Sequence, residues 1–328
     1  MKDIFLKYHL NKYPLMNHID IIKLIYQEVM GPNHIIKSKE LALEYIKKEL
    51  NETHNDNNLY EYLGGNYVRM DIHKYHNYFN ELDSFLELFM NSLSQNNDIK
   101  LLENVLNDIL SSDELNEYNY LPVSHSETYR NTYLPHYRII KSSLITLEHK
   151  IIQMTNFIDK LPSKSIISLE GRCASGKSTL SENVKDKYTI MPIDDFFLPM
   201  KLKTKERLSE IGGNINYELV KTTLENLKAS LENNVKEFTY KAFDCSKQEF
   251  YDKTISLKDK VILEGVYSTS PYFRHLVDKT IYLYIDKQTQ LQRINNRTIK
   301  ERFINEWIPL EERYFDYIKI EEICDLIV

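Results

Sequence analysis

Apolar residues recur at helical spacing over the first 160 positions of the chain, and beyond that point the spacing changes. From 20 to 30, Ile21, Ile22, Leu24, Ile25 and Val29 build one apolar face, which predicts an amphipathic helix. Gly31-Pro32 ends it. Residues 39–50 repeat the pattern with Leu41, Leu43, Tyr45, Ile46 and Leu50. Within 59–70, Gly64-Gly65 reads as a turn between two short extended pieces. Residues 75–94 and 99–110 read as further helices, and Ser124-x-x-Glu127 as a capping box opening another. After Pro135 a long helix is expected from about 137 to 158, and the spacing of Tyr129, Tyr133 and Tyr137 suggests a helical packing stripe.

The stretch 159–164 is polar and carries Pro162, and past it short apolar runs alternate with helical patterns. The runs are 166–169, 189–193, 238–243, 261–263 and 281–285. Strands alternating with helices predict βαβ units and a parallel sheet. The expected organisation is a mostly helical domain over 1–160 and an α/β domain over 161–328, in keeping with a 328-residue chain at about 100–200 residues per domain.

Composition narrows the function. The apolar fraction of 42% and the charged fraction of 27% are those of a globular protein. A net charge of −6 counts against nucleic acid as a partner, which calls for a basic footprint. No apolar run approaches the ~20 residues of a membrane span, and the first residues lack a signal-peptide pattern. Cys173, Cys245 and Cys324 lie too far apart for a disulfide framework or a metal set. The expectation is a cytoplasmic protein with a small-molecule partner, no nucleic acid and no membrane; a homo-oligomer is left open.

Glycine is scarce, at eight residues, and three of them fall in two short motifs. Gly171-Arg172-Cys173-Ala174-Ser175-Gly176-Lys177-Ser178-Thr179 fits G-x-x-x-x-G-K-[ST], with an apolar run before it and a helical stretch from about 177 to 187 after it. Such a loop wraps its amides around phosphates at a helix N-terminus. Lys177 would meet the β- and γ-phosphates of ATP and the Ser178 hydroxyl a Mg2+ ion. Asp194-Asp195-Phe196-Phe197 ends the second run, where a carboxylate can take a proton from an attacking hydroxyl or hold magnesium. Glu264-Gly265-Val266-Tyr267 ends the fourth run and aims Glu264 at the metal or its water shell. A single acid followed by glycine leans toward transfer to a substrate rather than hydrolysis. Arg293, Arg297 and Arg302 follow the last run, and Arg297 above all could stabilise charge in phosphoryl transfer.

From about 165 to 321 the chain resembles the uridine kinase and phosphoribulokinase branch of P-loop kinases, on GRCASGKST, IDDFFLP, GGNINYELV, YKAFD, ILEGVYS, RINNR and EWIPLEERYF in that order. The resemblance implies a P-loop NTPase fold, Asp194 as catalytic base, Glu264 at the magnesium site, and Arg293 and Arg297 as lid arginines. It places the acceptor near Asp195, Phe196, Tyr267 and the stretch around Tyr240, Phe243 and Asp244. Uridine kinases carry an Asp-His-Pro signature on the sugar; here the matching stretch reads Asn214-Ile215-Asn216-Tyr217-Glu218, so the reaction carries over and the acceptor does not.

The expected function is transfer of the γ-phosphate of ATP to a small hydroxyl acceptor, with a uridine- or cytidine-like nucleoside first. The alternatives are a pantothenate, glycerate or sugar acceptor, or an ATP-dependent switch acting through residues 1–160. In that first half GPNHIIK, EYLGGNYVRMD and PVSHSETYRNTYLPHYRII resemble a domain that precedes such kinases in some low-GC Gram-positive bacteria. The resemblance carries no activity over. His34, His125, Glu127, Arg130, His136 and Arg138 are candidates there for an anion or metal site, or for plain packing and capping roles.

Overall fold

In the computed structural model the chain forms two compact units, one up to Gln153 and one from Met154. The structure describes residues 5–32, 38–64, 66–93, 99–116, 124–297 and 300–328, so His34, Gly65 and the opening Pro122-Val123 of the stretch PVSHSETYRNTYLPHYRII lie outside the described residues. The division falls within the helix Leu147–Asp159, a little before the polar break.

The first unit is mostly helical and also holds a three-stranded antiparallel sheet, β1 (Tyr60–Gly64), β2 (Tyr67–Asp71) and β3 (Tyr137–Lys141), in that spatial order. The helix His18–Met30 opens on a capping box of Asn17 and Asp20 and stops at Gly31, whose φ of +63° suits glycine. Its Ile22, Ile25, Tyr26 and Met30 pack on Leu102 and Leu106 of the helix Ile99–Ile109. Its Leu24 meets Leu63, Tyr67 and Ile139 of the sheet. A helix with two apolar faces is thereby buried on both.

Four expectations fail in this unit. Tyr137 starts a strand, because Leu134 turns left-handed at φ +44° before Pro135 and residues 137–141 pair with β2; the helix begins only at Leu147. The stripe is therefore two residues long: Tyr129 and Tyr133 pack around Tyr13, with rings 5.4 and 4.9 Å from it. The expected helix over 75–94 is two, Ile72–Phe79 and Leu82–Ser92, parted at Asn80 with φ +50°. The cap of the helix Glu127–Tyr133 is Ser126, whose hydroxyl accepts from the Tyr129 amide, and not Ser124.

The second unit is α/β, as expected. Strands β4 (Ile166–Glu170), β5 (Thr189–Pro192), β8 (Val261–Glu264), β9 (Lys279–Tyr282) and β10 (Leu326–Ile327) form a parallel sheet in the order β10-β9-β4-β8-β5. β4 and β8 are buried throughout, which is why they read as unbroken apolar runs. The run 238–243 does not join them. It lies in β6 (Glu237–Asp244), which pairs antiparallel with β7 (Glu249–Ser256) in a separate hairpin; Phe238, Tyr240 and Ala242 are buried while Thr239 and Lys241 face water. The short β10 takes the fifth place in the sheet.

Candidate functional site

The carboxyl ends of β4, β8 and β5 are neighbours in the sheet, so the loops leaving them converge. β4 runs into residues 171–176 and then the helix Lys177–Glu182. Ala174 at φ +60° and Gly176 at φ +104° turn the loop so that its amides open the helix. The first bond within that helix is Leu180 N to Gly176 O, which leaves the amides of the loop end and first turn for another acceptor. The Lys177 ammonium donates to the carbonyls of Gly171 at 2.7 Å and Arg172 at 3.0 Å. The Ser178 hydroxyl lies 3.4 Å from Glu264 Oε1, at the end of β8. Gly265 must stay glycine: its φ is +149°, and a Cβ would meet the Ile193 Cβ at 2.8 Å.

Asp194 enters from the turn after β5. Its carboxyl opens on the cavity yet is hemmed in by protein, and burial raises its pKa above the ordinary aspartate value; Lys177 opposes the rise and Asp195 adds to it. Burial likewise raises Glu264, with Lys177 opposing and Asp194 reinforcing. A cavity of about 540 Å3 contains these groups. Of the residues expected at the site, it is lined by Cys173, Ala174, Gly176, Lys177, Ser178, Thr179, Asp194, Glu264, Tyr267 and Arg297.

Other expected residues stand elsewhere. Arg172 turns to Glu312 at 3.1 Å and to the ring of Phe315. Arg293 braces the back of the loop, donating to the carbonyls of Ala174 and Ser175 at 3.0 Å each, and does not line the cavity. Arg302 bonds Glu306. Phe196 is fully buried, stacked on Tyr240, so it is a core residue and not an acceptor contact. Asp195 accepts from the Tyr240 hydroxyl at 2.5 Å and from Lys253 at 2.8 Å, outside the cavity lining. Asp244 closes the β6–β7 turn through the amides of Ser246 and Lys247. In the first unit, His125, Arg130, His136 and Arg138 do share a pocket, without Glu127. Among the described residues no three or more of His, Cys, Asp and Glu cluster so as to hold a metal there.

Several residues at the site receive no role from the sequence, though Phe197, Trp307 and Glu311 lie within quoted motifs. Phe197, Phe303 and Trp307 give the cavity aromatic walls, the last two from the π-helical turn Phe303–Trp307, a rare geometry that recurs at functional sites. Glu311 accepts from the Cys173 amide at 2.9 Å, and Gln290 donates to the Cys173 carbonyl. Glu170 is the least expected. It is fully buried one residue before the loop and accepts four hydrogen bonds: Gly171 N at 2.9 Å, Tyr267 N at 3.2 Å, Thr269 N at 3.0 Å and the Tyr314 hydroxyl at 2.9 Å. It thus pins the start of the loop to the segment after β8 and holds Tyr267 at a strained φ of +77°, a conformation costing about 1–3 kcal/mol.

Burial pushes the Glu170 carboxyl up to about 7, against the pull of those donors and Lys177. A raised carboxyl stabilises the fold most below its unfolded pKa, and that contribution fades as pH climbs through the folded value. Wild type should therefore gain up to about 3 kcal/mol over Glu170→Gln between roughly pH 8 and 4.5. Calorimetric unfolding across that range is the check, and a gap that stays flat or widens toward alkaline pH would contradict it.

No family model and no curated protein matches the sequence. Solved structures do. A structure described as a possible uridine kinase from Bacillus stearothermophilus is 18% identical, with 55% of this chain and 98% of that one aligned at a TM-score of 0.44. The YGR205w protein is 17% identical, with 52% of this chain and 86% of that one aligned at a TM-score of 0.36. Likenesses this distant say nothing of a substrate. Among the described residues no helix is long and apolar enough to cross a membrane.

Proposed function

We propose that the second unit is a magnesium-dependent kinase that moves the γ-phosphate of ATP onto the hydroxyl of a small metabolite. One observation carries this: a phosphate-type loop with its lysine shares one cavity with a carboxylate, Asp194, that comes from a different strand and makes no ion pair among the described residues. A loop that only held nucleotide would need Lys177, Ser178 and Glu264; a further acid facing the same space suits an acceptor hydroxyl. Magnesium fits the oxygen donors Ser178 and Glu264, a hydroxyl and a carboxylate 3.4 Å apart. When bound, the ion would neutralise phosphate charge. Lys177 and Arg297 are the protein's own cations in the cavity, and Asp194 orients the acceptor and takes its proton.

For the acceptor we favour a nucleoside of the uridine or cytidine type. The support is the aromatic wall of Phe197, Tyr267, Phe303 and Trp307, on which a planar base can stack. The test is ADP release from the purified protein with magnesium-ATP against uridine, cytidine, other nucleosides, pantothenate, glycerate and pentose phosphates. Acceptor-dependent release with uridine or cytidine supports the reading. Release with another member of the panel keeps the kinase and replaces the acceptor. ATP turnover that ignores every acceptor overturns the transfer reaction in favour of a nucleotide-driven switch.

A further inference from the structure

We infer that the first unit holds a second ligand site: a pocket of about 410 Å3, walled by the helix His18–Met30, residues 124–138 and the end of the helix Lys39–Glu49, that binds a small metabolite through its oxyanion group, with Lys23 and Arg130 as the anion contacts. This inference does not depend on the kinase reading.

Charge points to an anion. The wall carries Lys23, Lys48, Arg130 and Arg138 against two carboxylates, Glu49 and Glu52. Arg138 and Glu49 neutralise each other in a two-pronged pair, Nη2 to Oε1 at 2.7 Å and Nη1 to Oε2 at 3.0 Å. Arg130 is exposed and has no carboxylate partner among the described residues, so its planar fork remains available to a phosphate or carboxylate.

The wall behind these cations adds to the positive field. Arg69 is 2% exposed and has no carboxylate within ion-pairing distance among the described residues. Its guanidinium donates to Gln27 Oε1 through Nε at 3.0 Å and Nη2 at 2.8 Å, and lies 4.9 Å from the ring centre of Tyr137. Its cross-strand neighbour Glu61 attracts it from the side away from Gln27, beyond ion-pairing distance, so the charge of Arg69 is only partly offset. Gln27 and Tyr137 stand between it and the pocket. Burial and then repulsion from Arg69 lower the Lys23 ammonium to about 8; Arg130 contributes in the same sense and Asp20 opposes. An anion in the pocket would relieve that repulsion.

The same wall is held rigid. Gln27 Nε2 donates to the Tyr137 hydroxyl at 3.0 Å, that hydroxyl is 2.6 Å from His125 Nε2, and His125 Nδ1 is 3.0 Å from Asp20 Oδ1. Burial would raise Asp20, but the bonds from His125 and Ser126 outweigh it and hold the carboxyl down at about 2. An ionised Asp20 assigns the proton to His125 Nδ1, so Tyr137 donates to Nε2 and every polar atom of the relay is used. Its members are thus satisfied by one another, and Arg130 on the rim keeps its fork for a ligand.

Lysine labelling on the full chain tests this. The protein is treated with acetic anhydride near pH 8, and the label on each lysine is read by mass spectrometry with inorganic phosphate, ribose 5-phosphate or citrate present. Lys177 is scored in the same digest, so anions in the other unit's loop are counted separately. With about 10 mM anion and a Kd near 1 mM, labelling of Lys23 should slow about tenfold while exposed Lys100 is unchanged. The anion that protects best names the ligand's charged group. Arg130→Gln, a change at an exposed position, should abolish the protection and leave the melting temperature in place. Labelling of Lys23 that none of the three anions alters, or protection that survives unchanged in Arg130→Gln, overturns the site.

Discussion

Lys177→Met should lower phosphoryl transfer by about three orders of magnitude or more while the fold and its melting temperature stay close to wild type. The ammonium is nearly buried, yet its bonds go only to the carbonyls of Gly171 and Arg172, the loop's own backbone. Methionine keeps the aliphatic stem and loses the charge. Two consequences separate an electrostatic role from loop bracing. Lys177 is the main group opposing the rise of the Asp194 and Glu264 carboxyls, so both should move further up in the variant. Residual activity should then fail at a higher pH on the acid side. Steady-state rates at saturating ATP across pH, with circular dichroism for the fold, decide it. More than about a tenth of wild-type turnover would remove Lys177 from the transfer step.

What could be read in the chain was whatever a few adjacent residues express. The phosphate loop follows from glycine spacing in a glycine-poor chain, and Asp194 and Glu264 follow from acids placed at the ends of buried runs. Glu170 is invisible by that route. It looks like one more strand-ending acid, and its meaning lies in donors from Tyr267, Thr269 and Tyr314, the last 144 residues away. Trp307 lies in the quoted EWIPLEERYF, but the aromatic wall it forms with Phe303 could not be read there, since its placement depends on a π-turn that no spacing rule encodes.

Two misreadings had local causes. The four-residue spacing of Tyr129, Tyr133 and Tyr137 imitates a helix across a break that Leu134 and Pro135 make. The run 238–243 shares only its apolar content with the sheet strands. Its strict alternation, Phe238 and Tyr240 in, Thr239 and Lys241 out, is the mark of a half-exposed antiparallel strand, and the turn at Asp244 to Gln248 supports it. Asp195 shows the limit of the doublet itself. Both acids looked equivalent, but the hairpin's Tyr240 and Lys253 claim Asp195 and leave Asp194 to the cavity.

That asymmetry yields the second large effect. Asp194→Asn should reduce transfer by about 10²–10⁴-fold, the usual worth of a general base, whereas Asp195→Asn should act through the hairpin and cost far less in turnover than in stability. Asparagine keeps the shape of Asp194 and its hydrogen-bonding reach but cannot accept the acceptor's proton. The pH dependence gives the sharper test. A base works only when ionised, and burial raises this carboxyl above the ordinary aspartate value. Activity should therefore fall as pH drops through that raised value, earlier than an exposed aspartate would allow. In Asp194→Asn the remaining activity should lose this acid limb, because the group that titrates is gone. The measurement is kcat/KM for the acceptor from about pH 5 to 8 in both proteins. An acid limb that persists unchanged in the variant would move the titrating base to Glu264. Wild-type turnover in Asp194→Asn would leave the loop as a nucleotide holder and return the acceptor chemistry to an open question.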